Sequence, residues 1–324
     1  MVLKAEIHSH LEGTASPALV RKLADRHGMT LPDSLFTNKD SFRWTTFLEF
    51  LKAYDMASAV IRTPEDYRDV TYDYLKRCAE EDAIYVEVMS SPDHAAMAGM
   101  AYQDHLDGIV QGITDATNDF GIEGRIIVTC VRHLGPDQAE KVALQTVAAP
   151  HPLVVGFGMG GDENAHHPSD FAWAFNIAHE AGLLCNVHAG EMAGPESVIA
   201  ALDHLPVKRI GHGVRSIEDP DLVKRLIEED ITLEVCPGSN IALGVFPDFN
   251  NHSFLKLRKA GVKVTLNSDD APYFETSIGR EYLIAREHFG LSDDELLNLT
   301  RTSIENSFAD QKTKLKLLAR LQST

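Results

Sequence analysis

His8 and His10 stand two residues apart in the run Glu6-Ile7-His8-Ser9-His10. In an extended strand, residues i and i+2 point to the same side, so these two imidazoles can converge on one ion. Further polar groups follow other apolar runs: His188 with Glu191, then His212, then the pair Asp269-Asp270. Adding His188 and Asp269 to the first pair gives three nitrogens and one carboxylate oxygen. That set suits one Zn²⁺ per chain, or another borderline divalent ion, with a coordination position open for water. Each feature alone has an ordinary structural explanation. Histidines fall at a two-residue spacing by chance, Asp269-Asp270 ahead of Pro272 can cap a helix or make a turn, and Glu191 can be a first-turn acid. Independent turn residues have no reason to place histidines, aspartates and a glutamate at matching ends of four separate apolar runs, and the joint pattern is the signal.

The elements that must hold these groups alternate in type. Short runs rich in β-branched residues predict strands at Glu6 to His10, Ile84 to Met89, Arg125 to Cys130, Leu153 to Phe157, Leu183 to His188, Arg209 to His212, Thr232 to Cys236 and Lys263 to Asn267. Helical spacing fills the gaps at Pro17 to His27, Pro64 to Glu81, Tyr102 to Phe120, Asp137 to Ala148, Ser169 to Ala181, Ala193 to Leu202, Pro220 to Glu229 and His252 to Ala260. Eight strand-helix units in one chain of 324 residues predict an α/β fold of the closed (β/α)8 TIM barrel type, spanning 1–324 as a single domain. An open doubly wound sheet would put a Gly-rich nucleotide loop after its first strand, and His8-Ser9-His10-Leu11-Glu12-Gly13 supplies none. Additional C-terminal helices are expected at Ser277 to Phe289, Asp293 to Phe308 and Thr313 to Leu321. Two insertions exceed what a connection needs: Leu31 to Ile61, a helical insertion after the first strand-helix unit, and Asn240 to Asn251. A barrel places its reactive groups at the carboxyl ends of its strands, and every polar group singled out above obeys that demand.

Composition narrows the partners. The chain is 44% hydrophobic and 24% charged, enough for a substantial packed core, and its net charge of -18 repels nucleic-acid phosphates and anionic lipid headgroups alike. A small ligand is expected, with no nucleic acid and no membrane. The uncharged run from Val142 to Gly161 is broken by Pro150-His151-Pro152 and reads as helix, turn and strand rather than a membrane span. Met1 to Glu6 is unlike a secretory signal, and the scattered Cys78, Cys130, Cys185 and Cys236 suit buried reduced thiols, so a cytoplasmic location is expected, as a monomer or a homodimer.

Six motifs carry a resemblance: His8-Ser9-His10-Leu11-Glu12-Gly13, Gly160-Gly161-Asp162-Glu163, His188-Ala189-Gly190-Glu191, Arg209-Ile210-Gly211-His212-Gly213, Cys236-Pro237-Gly238-Ser239-Asn240 and Leu266-Asn267-Ser268-Asp269-Asp270. In this order, over essentially the whole chain, they resemble the adenosine deaminase family of metal-dependent amidohydrolases. The resemblance implies one Zn²⁺ held by His8, His10, His188 and Asp269. It implies zinc-dependent hydrolytic deamination of adenosine and 2′-deoxyadenosine, in which an ion lowers the pKa of water from about 15.7 to about 7. Glu191 would enter protonated and donate to ring N1, His212 would act as base or electrostatic partner, and Asp269 would orient the nucleophile. Asp270 would reach N7, the Gly161 N–H would reach N3, Glu12 would present its acid to the ribose 5′-hydroxyl, and His10 would also border the substrate. The segment Trp44, Phe47, Leu48, Phe50, Leu51 has the spacing of an apolar lid.

Adenine deaminase is the sister alternative, with the same chemistry and a pocket that refuses ribose, and a modified adenine nucleoside is another. Gly160-Gly161-Asp162-Glu163 leans towards the nucleoside enzyme, while Gly158 stands where many relatives carry an aspartate. Two different-class readings are a two-metal amidohydrolase, which would need a bridging lysine after the fourth strand where Gly156-Phe157-Gly158-Met159 has none, and a non-catalytic purine-binding barrel, in which Glu191 and His212 would be surplus.

Overall fold

A computed structural model describes residues 2–322. Its strands are β1 (Lys4–His10), β2 (Ala83–Ser90), β3 (Glu123–Val131), β4 (Val154–Gly160), β5 (Leu184–Ala189), β6 (Val207–His212), β7 (Thr232–Val235) and β8 (Lys263–Leu266). They form one eight-stranded sheet in sequential order, with every neighbour parallel. The helices are α1 (Pro17–Arg26), α2 (Phe47–Ser58), α3 (Pro64–Glu80), α4 (Pro92–Met97), α5 (Tyr102–Phe120), α6 (Pro136–Ala148), α7 (Ala172–Glu180), α8 (Pro195–His204), α9 (Pro220–Glu228), α10 (Pro237–Ala242), α11 (Phe254–Ala260), α12 (Ile278–Glu287), α13 (Asp293–Asn306) and α14 (Gln311–Gln322). This is a (β/α)8 TIM barrel with C-terminal helices and a helical insertion, α2, in the segment between α1 and α3. No helix among the described residues is long and apolar enough to cross a membrane, and the four cysteines are free and buried.

The helix starts follow from capping chemistry. Ser16, Thr46, Thr63, Ser277 and Ser292 accept from backbone N–H groups of the first turn, and Pro at the first helical position recurs at α1, α3, α6, α8 and α9. Two six-residue helices, α4 and α10, were not expected from the sequence, because one and a half turns leave no apolar periodicity to read. Strand β4 runs past Phe157 to Gly160. Its alternate residues Gly156, Gly158 and Gly160 face a full interior: an added Cβ would meet Phe308 Cδ2 at 2.6 Å, Asn186 Oδ1 at 2.5 Å and His10 Cε1 at 3.2 Å respectively. Gly158 therefore stands where a larger side chain would collide with Asn186.

The seam between β8 and β1 closes differently from the other joints. Ile7 N–H donates to the side chain of Asn267 (2.9 Å), Asp269 N–H donates to the His8 carbonyl (3.2 Å), and Ser9 pairs with Asp269 as an isolated parallel bridge. At the opposite end of the barrel, the wholly buried Arg209 lies against two carboxylates. Its guanidinium is 2.7 Å from Glu87 Oε2 on β2 and 2.5 Å from Glu234 Oε1 on β7, stacks on the Phe308 ring at 3.6 Å and donates to the Asn306 carbonyl. The segment after α13 thus plugs the barrel floor. Arg209→Ala would strand two buried carboxylates, and removing one partner of a buried ion pair costs about 3–5 kcal/mol. We expect a loss of that size, read from the urea midpoint of the purified variant against the parent.

Candidate active site

Four strand ends bring the candidate residues to one mouth. His8 and His10 come from β1 and His188 from β5, while His212 closes β6 and Asp269 follows β8, both at a left-handed φ of 59°. A non-glycine residue rarely adopts that conformation, and it concentrates where a chain must turn a side chain towards a site. The imidazoles crowd: His8 lies with ring centroids 5.5 Å from His10, 4.6 Å from His188 and 4.8 Å from His212.

Donor atoms of His8, His10, His188 and Asp269 all lie within 4.8 Å of one another. His10 Nε2 and His188 Nε2 are 3.0 Å apart, and Asp269 Oδ1 is 3.6 Å from His8 Nε2 and 3.4 Å from His10 Nε2. The ring tautomers are fixed from behind. His8 Nδ1–H donates to Glu234 Oε2 (2.6 Å) and His188 Nδ1–H donates to the Met159 carbonyl (2.9 Å), which turns both Nε2 lone pairs inward. Burial and the neighbouring rings pull His10 down to about 3 and His188 to about 4, so both are neutral, as ligands must be. Burial opposes a charge on His8 too, but the carboxylates of Asp269 and Glu234 on either side lift it to about 10, a pull for positive charge that a bound cation would answer in place of a proton on Nε2. His8 Nε2 nonetheless has no hydrogen-bond partner among the described residues. An orphaned buried nitrogen, two inward lone pairs and a carboxylate fit a divalent cation. A second cluster of His8, His212, Cys236 and Asp269 is as compact. Burial, then the charges of Asp269 and Glu281, push the Cys236 thiol well up, and its Sγ–H donates to the Glu234 carbonyl at 3.6 Å.

Behind His8 the structure adds residues the sequence did not single out. Glu234 accepts from His8 and from Asn186 Nδ2 and pairs with Arg209. Burial would raise its pKa, but Arg209 and His8 hold it at about 2, so the group that orients His8 stays a carboxylate. On the other side of the mouth, Glu163 accepts four successive backbone N–H groups, from Gly190, Glu191, Met192 and Ala193, and pins the loop that carries Glu191. The side chain of Glu191 is buried beside Asp269 and Glu163, and burial first, then those charges, raise its pKa well above an ordinary carboxyl. Asp270 is pushed up for the same reasons, burial and then Asp269, and its Oδ1 has no partner among the described residues. That oxygen is why residue 13 is glycine: an added Cβ would sit 1.6 Å from it.

One cavity of about 680 Å³, its open mouth included, is lined by His10, Glu12, Gly161, His188, Glu191, His212, Asp269 and Asp270, with His8 packed behind. Every site residue expected from the sequence therefore gathers in one place. Phe47, Phe50, Leu51 and Tyr54 of α2 line its roof. The other two members of the expected lid do not: Leu48 is 60% exposed, and Trp44 packs on Phe50 and Phe274 while its Nε1–H donates to the Tyr273 carbonyl. Glu12 is the departure. Its Oε1 accepts from Ser90 Oγ (2.6 Å), the Ser91 N–H (3.2 Å) and Tyr67 OH (3.3 Å), and its Oε2 faces Tyr54 OH at 3.4 Å. Ser90 in turn accepts from His105 Nε2–H.

A parallel barrel with a compact His₃Asp cluster at the carboxyl ends of its strands is the arrangement a metal-dependent hydrolase would need. Comparison with known proteins carries this further. The sequence profile of the family described as adenosine deaminase matches residues 3–324, and the chain belongs to that family. It is 52% identical over 322 residues to the adenine deaminase of Chelativorans sp. strain BNC1, covering 99% of this chain and 98% of that one. It is 51% identical, at the same coverage, to the adenine deaminase of Mesorhizobium japonicum. Among solved structures, the adenine deaminase of Arthrobacter aurescens superposes with a TM-score of 0.92 at 32% identity, over 100% of this chain and 99% of that one. An amidohydrolase of Burkholderia ambifaria with bound Zn superposes with a TM-score of 0.89 at 27% identity, over 99% and 90%.

His8→Ala is expected to leave the purified chain with well under one metal equivalent. Glu234→Gln keeps the volume but weakens the grip on His8, and should lower metal affinity roughly 10- to 100-fold in a chelator competition, since that is the usual effect of removing a partner that orients a ligand.

Proposed function

We propose that this protein is an adenine deaminase, which converts adenine and water to hypoxanthine and ammonia: a C6–O bond forms, the bond from C6 to the amino nitrogen breaks, and nothing is oxidised or reduced. The observation that carries the choice of free base is Glu12. Its carboxylate is engaged by Ser90, Ser91 and Tyr67 beneath the roof helix, so it closes the pocket end that would otherwise receive a sugar. Relatives at 52% and 51% identity over nearly the full chain are named adenine deaminase, which supports the alternative raised from the sequence over its leading reading of adenosine and 2′-deoxyadenosine. The lean of Gly160-Gly161-Asp162-Glu163 towards a nucleoside finds another explanation, because Glu163 serves the Glu191 loop.

His8, His10, His188 and Asp269 would hold the ion, taken as one Zn²⁺ per chain on the strength of the donor set and the zinc-bound solved relative. When bound, it would supply acidified water as the nucleophile. The chain's own residues do the rest. Glu191, kept protonated by burial, donates to ring N1 and makes C6 electron-poor. His212, held neutral by burial and packed 5.1 Å from the His188 ring, faces the reacting oxygen as base or electrostatic partner. Asp270 offers a carboxyl of raised pKa to N7, and the Gly161 N–H lies on the cavity wall for N3. The proposal takes residues 1–324 as one catalytic unit, cytoplasmic in keeping with its buried free thiols.

The test is a steady-state absorbance panel of adenine, adenosine and 2′-deoxyadenosine with metal-replete enzyme. Adenine should be turned over with the highest kcat/KM, and a preference for either nucleoside would overturn the assignment. Glu191→Gln should lower kcat by roughly 10²- to 10⁴-fold, the range for a lost proton donor, while metal content and adenine binding stay near the parent. Because Glu191 must start protonated and its pKa is raised, the parent's rate should hold through neutral pH and fall as pH climbs through that raised value.

A further inference from the structure

The insertion after β7 brings one more histidine to the site. His252 is buried ahead of α11, held by Ser253 Oγ donating to the Val214 carbonyl and by ring contacts with Phe246 (4.6 Å) and Phe289 (5.8 Å). Its hydrogen bonds leave a single consistent arrangement. The Phe254 N–H donates to His252 Nδ1 (3.0 Å), so that nitrogen is unprotonated and the ring proton lies on Nε2. Nε2–H then donates to Asn240 Oδ1 (3.2 Å), which fixes the orientation of the Asn240 amide and turns its NH₂ towards the site. The amide nitrogen donates to Glu191 Oε1 (3.2 Å) and lies 3.4 Å from His212 Nδ1. Burial lowers His252 to about 3, in keeping with a neutral ring.

We propose that His252 is a positioning residue: through the Asn240 amide it occupies Oε1 of Glu191 and so leaves Oε2 as the oxygen that presents its proton to the substrate ring. A carboxyl with both oxygens free could carry its proton on the wrong one or rotate away from N1, and a flipped Asn240 amide would offer Glu191 an acceptor instead of a donor. The relay also accounts for the insertion itself, which returns the chain from Asn240 to a histidine twelve residues later. This inference rests on the deaminase reading above for the role of Glu191, and goes beyond it in naming residues that touch neither substrate nor ion.

The experiment is a double-mutant cycle of His252→Phe and Asn240→Ala on adenine turnover, with His252→Gln as the conservative variant and metal content measured throughout. His252→Phe should lower kcat by about tenfold or more with KM and metal content close to the parent, in the range of 10–100-fold typical of lost outer contacts. His252→Gln, whose amide nitrogen can reach Asn240 Oδ1, should recover most of that loss. The double variant should be no worse than Asn240→Ala alone, because His252 acts only through Asn240. Additive losses in the cycle, parental kcat in His252→Phe, or a loss that follows metal content would each overturn the relay. If the parent enzyme ignores adenine but deaminates another aminopurine, the substrate reading fails and the cycle is run on that purine. Inactivity on every aminopurine would overturn both.

Discussion

Four imidazoles packed into a buried barrel mouth cannot all be charged, and they cannot drift, or the cavity between them is lost. Everything else at this site is arranged to meet that constraint. Burial strips the charge from His10, His188 and His212, while the carboxylates of Glu234 and Asp269 flank His8 from two sides. Glu234 can play this part only because Arg209, itself divided between Glu234 and Glu87, prevents it from taking up a proton. The line from the barrel floor to its mouth is thus an alternation of charges, Glu87, Arg209 and Glu234, that ends on the His8 ring and runs through the buried core. Such a line contributes order more than stability, since burying ions costs about as much as pairing them returns.

Much of this was legible in the amino-acid sequence because barrels separate duties along each strand. Apolar β-branched runs announce the strands, the last residue or two of each run announce the rim, and polar residues at several rims at once point to a site. His8, His10, His188, His212, Asp269 and Asp270 were readable on that basis, and they share one mouth. What escaped were pairings between distant residues of ordinary type. Nothing in the letters joins Glu163 to the amides of residues 190–193, Asn240 to Glu191, or His252 to Asn240, because each pairing depends on how loops of adjoining units lean together. A signal was present in the length of the segment after β7, which exceeds what a connection needs and so implied a task. The short helices α4 and α10 escaped for a different reason, being too brief to show a period.

On the proposed function, substrate choice would rest on a small difference in reach. Glu12 sits two residues beyond His10, where a shorter acid would stop short of the pocket wall, and its extra methylene lets the carboxylate seat itself among Ser90, Ser91 and Tyr67. The wall behind it is built to receive that group: Ser90 Oγ accepts a hydrogen bond from His105 Nε2–H, and the His105 ring meets Tyr67 edge to face. An acid so well supplied with donors has little reason to leave them for a sugar hydroxyl. On the adenine deaminase proposal, discrimination between base and nucleoside would come from a filled wall.

The seam between the first and last strands carries a consequence for how the protein endures. Most joints of the barrel are continuous ladders of backbone hydrogen bonds, but β8 meets β1 through an asparagine side chain, one bridge and the very segment that bears Asp269. A cation gripped by His8 and His10 on one margin and Asp269 on the other would rivet that gap shut. Its tenancy would join the two extremities of the polypeptide and make the closed ring more resistant to heat by mass action. Scarcity of the ion in the cell would then shorten the lifetime of the fold as well as silence its chemistry.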